Sequence, residues 1–182
     1  GFSEGMTYSF ESPKVFDKLL VPEGSELRNA IEISNPLGVD YSIMRTSSLN
    51  GMLSSLATNY NHRNKNVRLY ELANVYLPKA LPLTELPDER MMLTLGMYGK
   101  GDFFDMKGCV ESIFKKIGVK EYVSYEPNDD RPFLHPGRRA DILIGEDCVG
   151  FLGEVHPEVA DNYGIGTKAY VAVLDVEILA KK

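Results

Sequence analysis

Along the stretch from Leu49 to Tyr60, apolar side chains stand at Leu49, Met52, Leu53, Leu56 and Tyr60. Offsets of 0, 3, 4, 7 and 11 put them on one face of a helix. The Asn-rich segment Asn59 to Asn66 ends it. Val67 to Leu77 then reads as a long apolar-rich strand, and Arg90 to Tyr98 as another. Pro78, Pro82 and Pro87 between them mark a loop, because proline cannot donate to a ladder. Val110, Ile113, Phe114 and Ile117 form a second helical stripe, with Asp105 as its cap and Gly118 as its stop. Glu121 to Tyr125 reads as a strand and Pro127 to Gly137 as a loop. Arg139 to Ile144 and Cys148 to Val155 make a hairpin around Gly145-Glu146-Asp147. Pro157 opens a short helix to Tyr163, Ala169 to Val173 is a last strand, and a helix starts near Glu177.

The first 45 residues are more broken. Met6 to Phe10 reads as a short strand, and Ser12-Pro13 starts a short helix that ends near Leu20. Leu27 to Ile33 reads as a strand, stopped by Asn35-Pro36-Leu37-Gly38. Tyr41 to Arg45 is extended. The total is seven or eight strands and four or five helices, joined by hairpin-sized links. That predicts an α+β fold, a mainly antiparallel sheet flanked by helices, over one domain spanning residues 1–182.

Charge and composition narrow the function. Twenty Lys and Arg against 26 Asp and Glu leave −6, which argues against a freestanding electrostatic DNA binder. No apolar run approaches the ~20 residues of a membrane span, and no basic start, apolar run and cleavage site form a leader. With 43% hydrophobic residues the chain is globular rather than disordered. Cys109 and Cys148 form no Cys-x-x-Cys unit, which predicts two buried free thiols in a reducing cytoplasm. The chain begins at Gly1 and stops at Lys181-Lys182 inside an apolar pattern, so it reads as a piece of a longer polypeptide.

No chemistry stands out from spacing. His135 and His156 each precede a proline, sit 21 residues apart, and read as turn residues rather than metal ligands; His62 reads as solvated. No carboxylate pair is singled out. Gly99-Lys100-Gly101 and Gly164-Ile165-Gly166-Thr167-Lys168 read as turns, not phosphate loops. Two basic groups, His62-Arg63-Lys65-Arg68 and Arg131-Arg138-Arg139, are candidate contacts for an RNA backbone. The second is the preferred RNA candidate. The helix face from Leu49 to Tyr60 is either core or shared between core and a subunit interface.

Longer strings carry more. Asn35-Pro36-Leu37-Gly38, then Ser42-Ile43-Met44-Arg45-Thr46-Ser47-Ser48-Leu49-Asn50-Gly51-Met52-Leu53, resemble the bacterial phenylalanyl-tRNA synthetase β subunit. So do Val67-Arg68-Leu69-Tyr70-Glu71-Leu72-Ala73-Asn74-Val75-Tyr76 and Asp102-Phe103-Phe104-Asp105-Met106-Lys107-Gly108. Phe133-Leu134-His135-Pro136-Gly137-Arg138 and Gly153-Glu154-Val155-His156-Pro157-Glu158-Val159 follow in the same order. The resemblance implies the synthetase-like module of that subunit, with a class II aminoacyl-tRNA synthetase fold. It implies a non-catalytic part of an (αβ)₂ ligase that joins phenylalanine to tRNA with ATP and magnesium. The module itself would bind no cofactor. Its partners would be the catalytic α subunit and, through the whole enzyme, tRNA, with neither membrane nor DNA involved.

Class II chemistry needs one arginine on a strand pair for the α-phosphate and a second, after a glycine-rich strand, for the far end of ATP. Guanidinium offers paired, permanently charged donors to a phosphorus that gains negative charge. On the resemblance, Leu77 and Ile178 stand where those arginines belong, and Val173 and Asp175 where glycines would admit the nucleotide. A fold kept without its chemistry is the expectation. Docking on α through Met44, Arg45, Leu49, Met52, Leu53, Leu56 and Tyr60 is the expected role. The alternatives are an ATP- or amino-acid-binding module in its own right, and a tRNA-contacting surface at Arg131, Arg138 and Arg139.

Overall fold

A computed structural model describes residues 1–182. Nine strands alternate with five helices: β1 (Ser3–Glu4), β2 (Phe10–Glu11), α1 (Val15–Lys18), β3 (Ile43–Met44), α2 (Leu49–Asn61), β4 (Val67–Leu77), β5 (Asp88–Tyr98), α3 (Phe103–Ile117), β6 (Val123–Glu126), β7 (Leu134–Ile144), β8 (Asp147–Val155), α4 (Pro157–Tyr163), β9 (Ala169–Asp175) and α5 (Val176–Leu179). Seven of the strands form one sheet in the order β1-β4-β5-β9-β8-β7-β6. Every pairing in it is antiparallel except β1 with β4. Strands β2 and β3 make a separate antiparallel pair. The expected α+β class and mainly antiparallel sheet are what the chain adopts.

Alternation builds both faces. All seven residues of the central strand β9 are buried. Ala169, Val171 and Val173 face a core that holds α1, α2 and α4, and Tyr170, Ala172 and Leu174 face one that holds α3 and α5. The first core takes Leu49, Met52, Leu53 and Leu56 from α2, each at most 1% exposed. Burying each such side chain contributes roughly 1.5–3 kcal/mol. Gly96 on β5 makes this seating possible. A Cβ there would lie 2.6 Å from Met52 Cγ and Sδ, so α2 rests against bare backbone.

Local signals set the helix ends. Asp102 caps α3, its carboxylate accepting from Phe104 and Asp105 N–H, while the Asp105 side chain accepts from Asp102 N–H. The expected cap, Asp105, is thus the returning half of a capping box whose cap is Asp102. Gly118 ends the helix with φ 85°. Pro157 starts α4 behind His156, whose Nδ1 accepts from Glu158 N–H at 3.2 Å.

Three expectations change. Leu27 to Ile33 is not a strand. Ser25 caps a 3₁₀ turn at Glu26–Arg28, and only Glu32 bridges to Ile43. Met6 to Phe10 is not one strand either, because Thr7 bonds the Glu71 carboxylate instead of a ladder. Finally, β7 begins at Leu134, inside the expected loop. Pro136 is accommodated where the register between β7 and β8 shifts, between Leu134 and Arg139.

Candidate functional site

The expected nucleotide positions lie at one end of the sheet. Leu77 ends β4 opposite Asp88, and Ile178 lies on α5 against the α3 core. Asp175 is the N-cap of α5. Its Oδ1 accepts from Glu177 and Ile178 N–H, both at 3.0 Å, and its Oδ2 accepts from Arg90 Nη1 at 3.2 Å. Arg90 also donates from Nε to Asp88 at 2.7 Å. Its pKa rises further, chiefly through the Asp88 hydrogen bond. A guanidinium is therefore present at this end, but two carboxylates hold it. A phosphate arriving here meets aliphatic side chains and two aspartates.

Around Gly96 and β9 the sheet is covered on both sides. Met52 and Leu56 lie on Gly96 from one side, and Met106, Val110 and Phe114 are buried against the other. The main hollows lie off β9: the largest named below opens over β4 and β5 beside α3, and one of about 340 Å³ lies between Leu72, Leu93 and Leu179 of α5. One of about 770 Å³ is lined by Phe2, Tyr70, Leu93 and Ile113, and one of about 570 Å³ by Tyr8, Glu11, Tyr41 and Asn50. Two polar ones of about 590 and 550 Å³ sit at the far end of β4. No residue of β9 lines any of these five.

Most of the side chains expected at a partner interface are taken up internally. Leu49, Met52, Leu53 and Leu56 belong wholly to the core under α2, which leaves them no free surface. Arg45 is 4% exposed and forms an ion pair with Glu71 at 3.6 Å. It donates from Nε to Asn74 O at 2.7 Å and from Nη1 to Thr7 Oγ1 at 3.1 Å. Tyr60 is half-buried, edge-on to Tyr98 with ring centres 5.8 Å apart. Met44 is half-buried on β3, paired with Phe10.

Beside Met44 the surface is unusually apolar. Met6 is 89%, Tyr8 77%, Leu37 88% and Val39 71% exposed. Tyr8 and Tyr41 stack edge-on at 6.1 Å, which gathers the two segments into one patch.

The preferred RNA candidates are neutralised. Arg138 pairs with Glu154 at 2.7 Å, Arg139 with Asp129 at 2.8 Å, and Arg131 with Asp141 at 3.2 Å. Arg131 also stacks on Phe151, 4.5 Å from its ring centre. Of the histidines, His156 caps α4 in line with its turn reading, whereas His135 lies within β7, not in a turn, with its Nδ1 accepting from Gly137 N–H. Both cysteines are free, but Cys148 is exposed and Cys109 half-buried, unlike the buried pair expected; a hairpin edge and a helix flank hold them.

Sequence reasoning missed a buried polar chain. Tyr163 Oη donates to Asn50 Oδ1 at 2.7 Å, and Asn50 Nδ2 donates to Glu11 Oε2 at 3.0 Å. Burial pushes the Glu11 carboxyl up to about 7, against the pull of Asn50 and Arg45. Burial also raises the Tyr163 hydroxyl. Glu71 did leave a signal. It stands in phase with Val67, Leu69, Ala73 and Val75 on the inward side of β4, where an acid needs a partner.

Known proteins resemble the chain throughout. The family model for the phenylalanyl tRNA synthetase beta chain CLM domain matches residues 1–176. The phenylalanine–tRNA ligase beta subunit of Clostridium acetobutylicum is 48% identical over 179 residues, covering 98% of this chain and 22% of that protein. The corresponding subunit of Clostridium tetani is 42% identical over 181 residues, covering 100% of this chain and 23% of its own length. The chain thus spans under a quarter of these relatives. The crystal structure of pyrrolysyl-tRNA synthetase from Desulfitobacterium hafniense superposes with a TM-score of 0.77 at 13% identity, over 99% of this chain and 62% of that one. At that identity the likeness speaks for the fold alone, which is class II synthetase-like.

Proposed function

Because this chain belongs to the phenylalanyl-tRNA synthetase β-chain CLM family, we propose that it is a non-catalytic, synthetase-like module, 1–182, of a phenylalanine–tRNA ligase β subunit. In this reading it docks on the catalytic α subunit of an (αβ)₂ enzyme in the cytoplasm. That enzyme consumes ATP with magnesium to attach phenylalanine to tRNA, and the module itself holds neither.

The observation that carries the non-catalytic reading is the Arg90–Asp175 pair beside Leu77 and Ile178. Adenylation develops negative charge on phosphorus, and permanent donors stabilise it. Here the Arg90 guanidinium is already held by carboxylates, and positions 77 and 178 are aliphatic. Calorimetry with ATP, magnesium and phenylalanine tests it. Saturable nucleotide binding to this chain would overturn it.

The docking surface in this reading shifts from α2 to the patch of Met6, Tyr8, Leu37 and Tyr41 next to Met44. A partner gains most from apolar side chains that are rigid yet still in water. Tyr8→Asp with Leu37→Asp should then abolish co-purification with α while leaving the circular dichroism spectrum intact. Undiminished assembly by that variant would remove the patch from the interface.

A further inference from the structure

We infer that the end of the sheet where α2 turns into β4 is an RNA-backbone contact surface, distinct from Arg131, Arg138 and Arg139. The inference rests on reading the chain as part of a tRNA ligase. The two polar hollows at that end share Asn64 and Lys65. Between them they are lined by Arg63, Lys65, Arg68 and Lys100, and by no carboxylate. None of these four cations takes part in a salt bridge, whereas all three arginines of the other group do. In a chain of net charge −6, four unneutralised cations around two hollows that share Asn64 and Lys65 form a local reversal of the overall field.

The cluster is held rigidly. Tyr98 Oη donates to Asn64 O at 2.8 Å, and Lys100 N–H donates to Asn66 Oδ1 at 2.8 Å. Arg68 donates to Lys100 O at 3.4 Å. At Gly99, φ is +93° and a Cβ would lie 2.2 Å from Lys65 O, so only glycine brings the two turns this close. Arg63 itself sits at φ 62°, a conformation that side chains other than Gly and Asn adopt at a cost. The hollows are floored by Val67 and Tyr98, both buried, and the rim adds Asn59, Asn61 and Asn66 amides. Exposed cations beside neutral hydrogen-bonding groups suit phosphates and ribose hydroxyls. An anionic membrane fits less well, because no exposed apolar side chain stands in the rim to enter lipid.

The test uses the assembled ligase that carries this chain, with a fluorescein-labelled tRNA transcript as probe. Arg63→Gln, Lys65→Gln and Lys100→Gln are combined, since these side chains are exposed and make no hydrogen bond. Lys115→Gln with Lys116→Gln, at the far end of α3, serves as control. Kd is measured from about 0.05 to 0.2 M salt, with assembly checked by size exclusion. The expected result is a Kd raised roughly tenfold and a log Kd–log salt slope reduced by about one for each cation seated on a phosphate. An unchanged slope in an intact assembly, or an equal change in the control, overturns the inference while leaving the docking reading in place. So does a loss confined to phosphatidylglycerol vesicles with tRNA binding untouched.

Discussion

Arg45 and Glu71 meet at 3.6 Å with side chains only 5% and 3% exposed. Around them Thr7 donates twice to Glu71, and Arg45 reaches Asn74 O and Tyr8 O. The pair therefore fastens the N-terminal segment, with its exposed Tyr8, onto β4. The same Tyr8 belongs to the proposed docking patch, so the clasp sets the position of that surface.

Breaking one side of such a pair leaves the other charge buried without a partner. Arg45→Met should lower unfolding stability by about 3–5 kcal/mol. Urea denaturation measures it. The double change Arg45→Met with Glu71→Leu should recover a large part of that loss, because no charge then remains inside. A single variant within ~1 kcal/mol of the parent would show that the pair contributes little.

Glu11 makes stability depend on pH in the direction opposite to a salt-bridged acid. Its carboxyl is raised from 4.5 to about 7 in the folded chain by burial. Below 4.5 it is neutral folded and unfolded alike, and no penalty arises. Between 4.5 and about 7 the unfolded chain ionises first, so stability falls as pH rises, and the loss levels off above 7. The full difference is on the order of 3 kcal/mol. Chemical denaturation of Glu11→Gln from pH 4 to 8 should show this slope flattened. Parallel curves for the two proteins would mean that Glu11 titrates near its ordinary value.

Much of this fold is legible in the sequence where the period is strong. α2, β4, β5, α3, α4 and the β7–β8 hairpin follow from apolar spacing and from Pro157 and Gly118. The first 45 residues are not, because side chains rather than ladders hold them: Thr7 on Glu71, Arg28 on Val21 O, and Asn50 on Glu11. The interface expectation at Leu49, Met52, Leu53 and Leu56 reads an amphipathic stripe correctly but cannot say which surface covers it. The chain's own sheet does. The basic residues illustrate the same limit. Arg138 and Lys65 look alike in sequence, and only the fold brings Glu154 to one and no acid to the other.

The capping box at the start of α3 gives a small, well-defined effect. Asp102→Ala removes the acceptor for Phe104 and Asp105 N–H and should cost about 1 kcal/mol. Asp105→Ala removes only the returning bond to Asp102 N–H and should cost less. Thermal melts of the two variants order them. The reverse order would put the cap at Asp105.

Placing guanidinium groups where the proposed reading puts the phosphate-binding arginines should not create nucleotide binding. Leu77→Arg sets a cation directly opposite Asp88, and Ile178→Arg sets one three residues from Asp175. Each new side chain finds a carboxylate closer than any incoming phosphate, and an ion pair already formed leaves the donor fork occupied. Arg90 is held in the same way at 2.7 Å from Asp88. At Gly96 itself α2 leaves no space, since a Cβ there would already lie 2.6 Å from Met52. The double variant should therefore remain folded and give no saturable heat with ATP and magnesium. Millimolar binding would show that two arginines were the whole difference, and that the aspartates and the seated helix present no barrier.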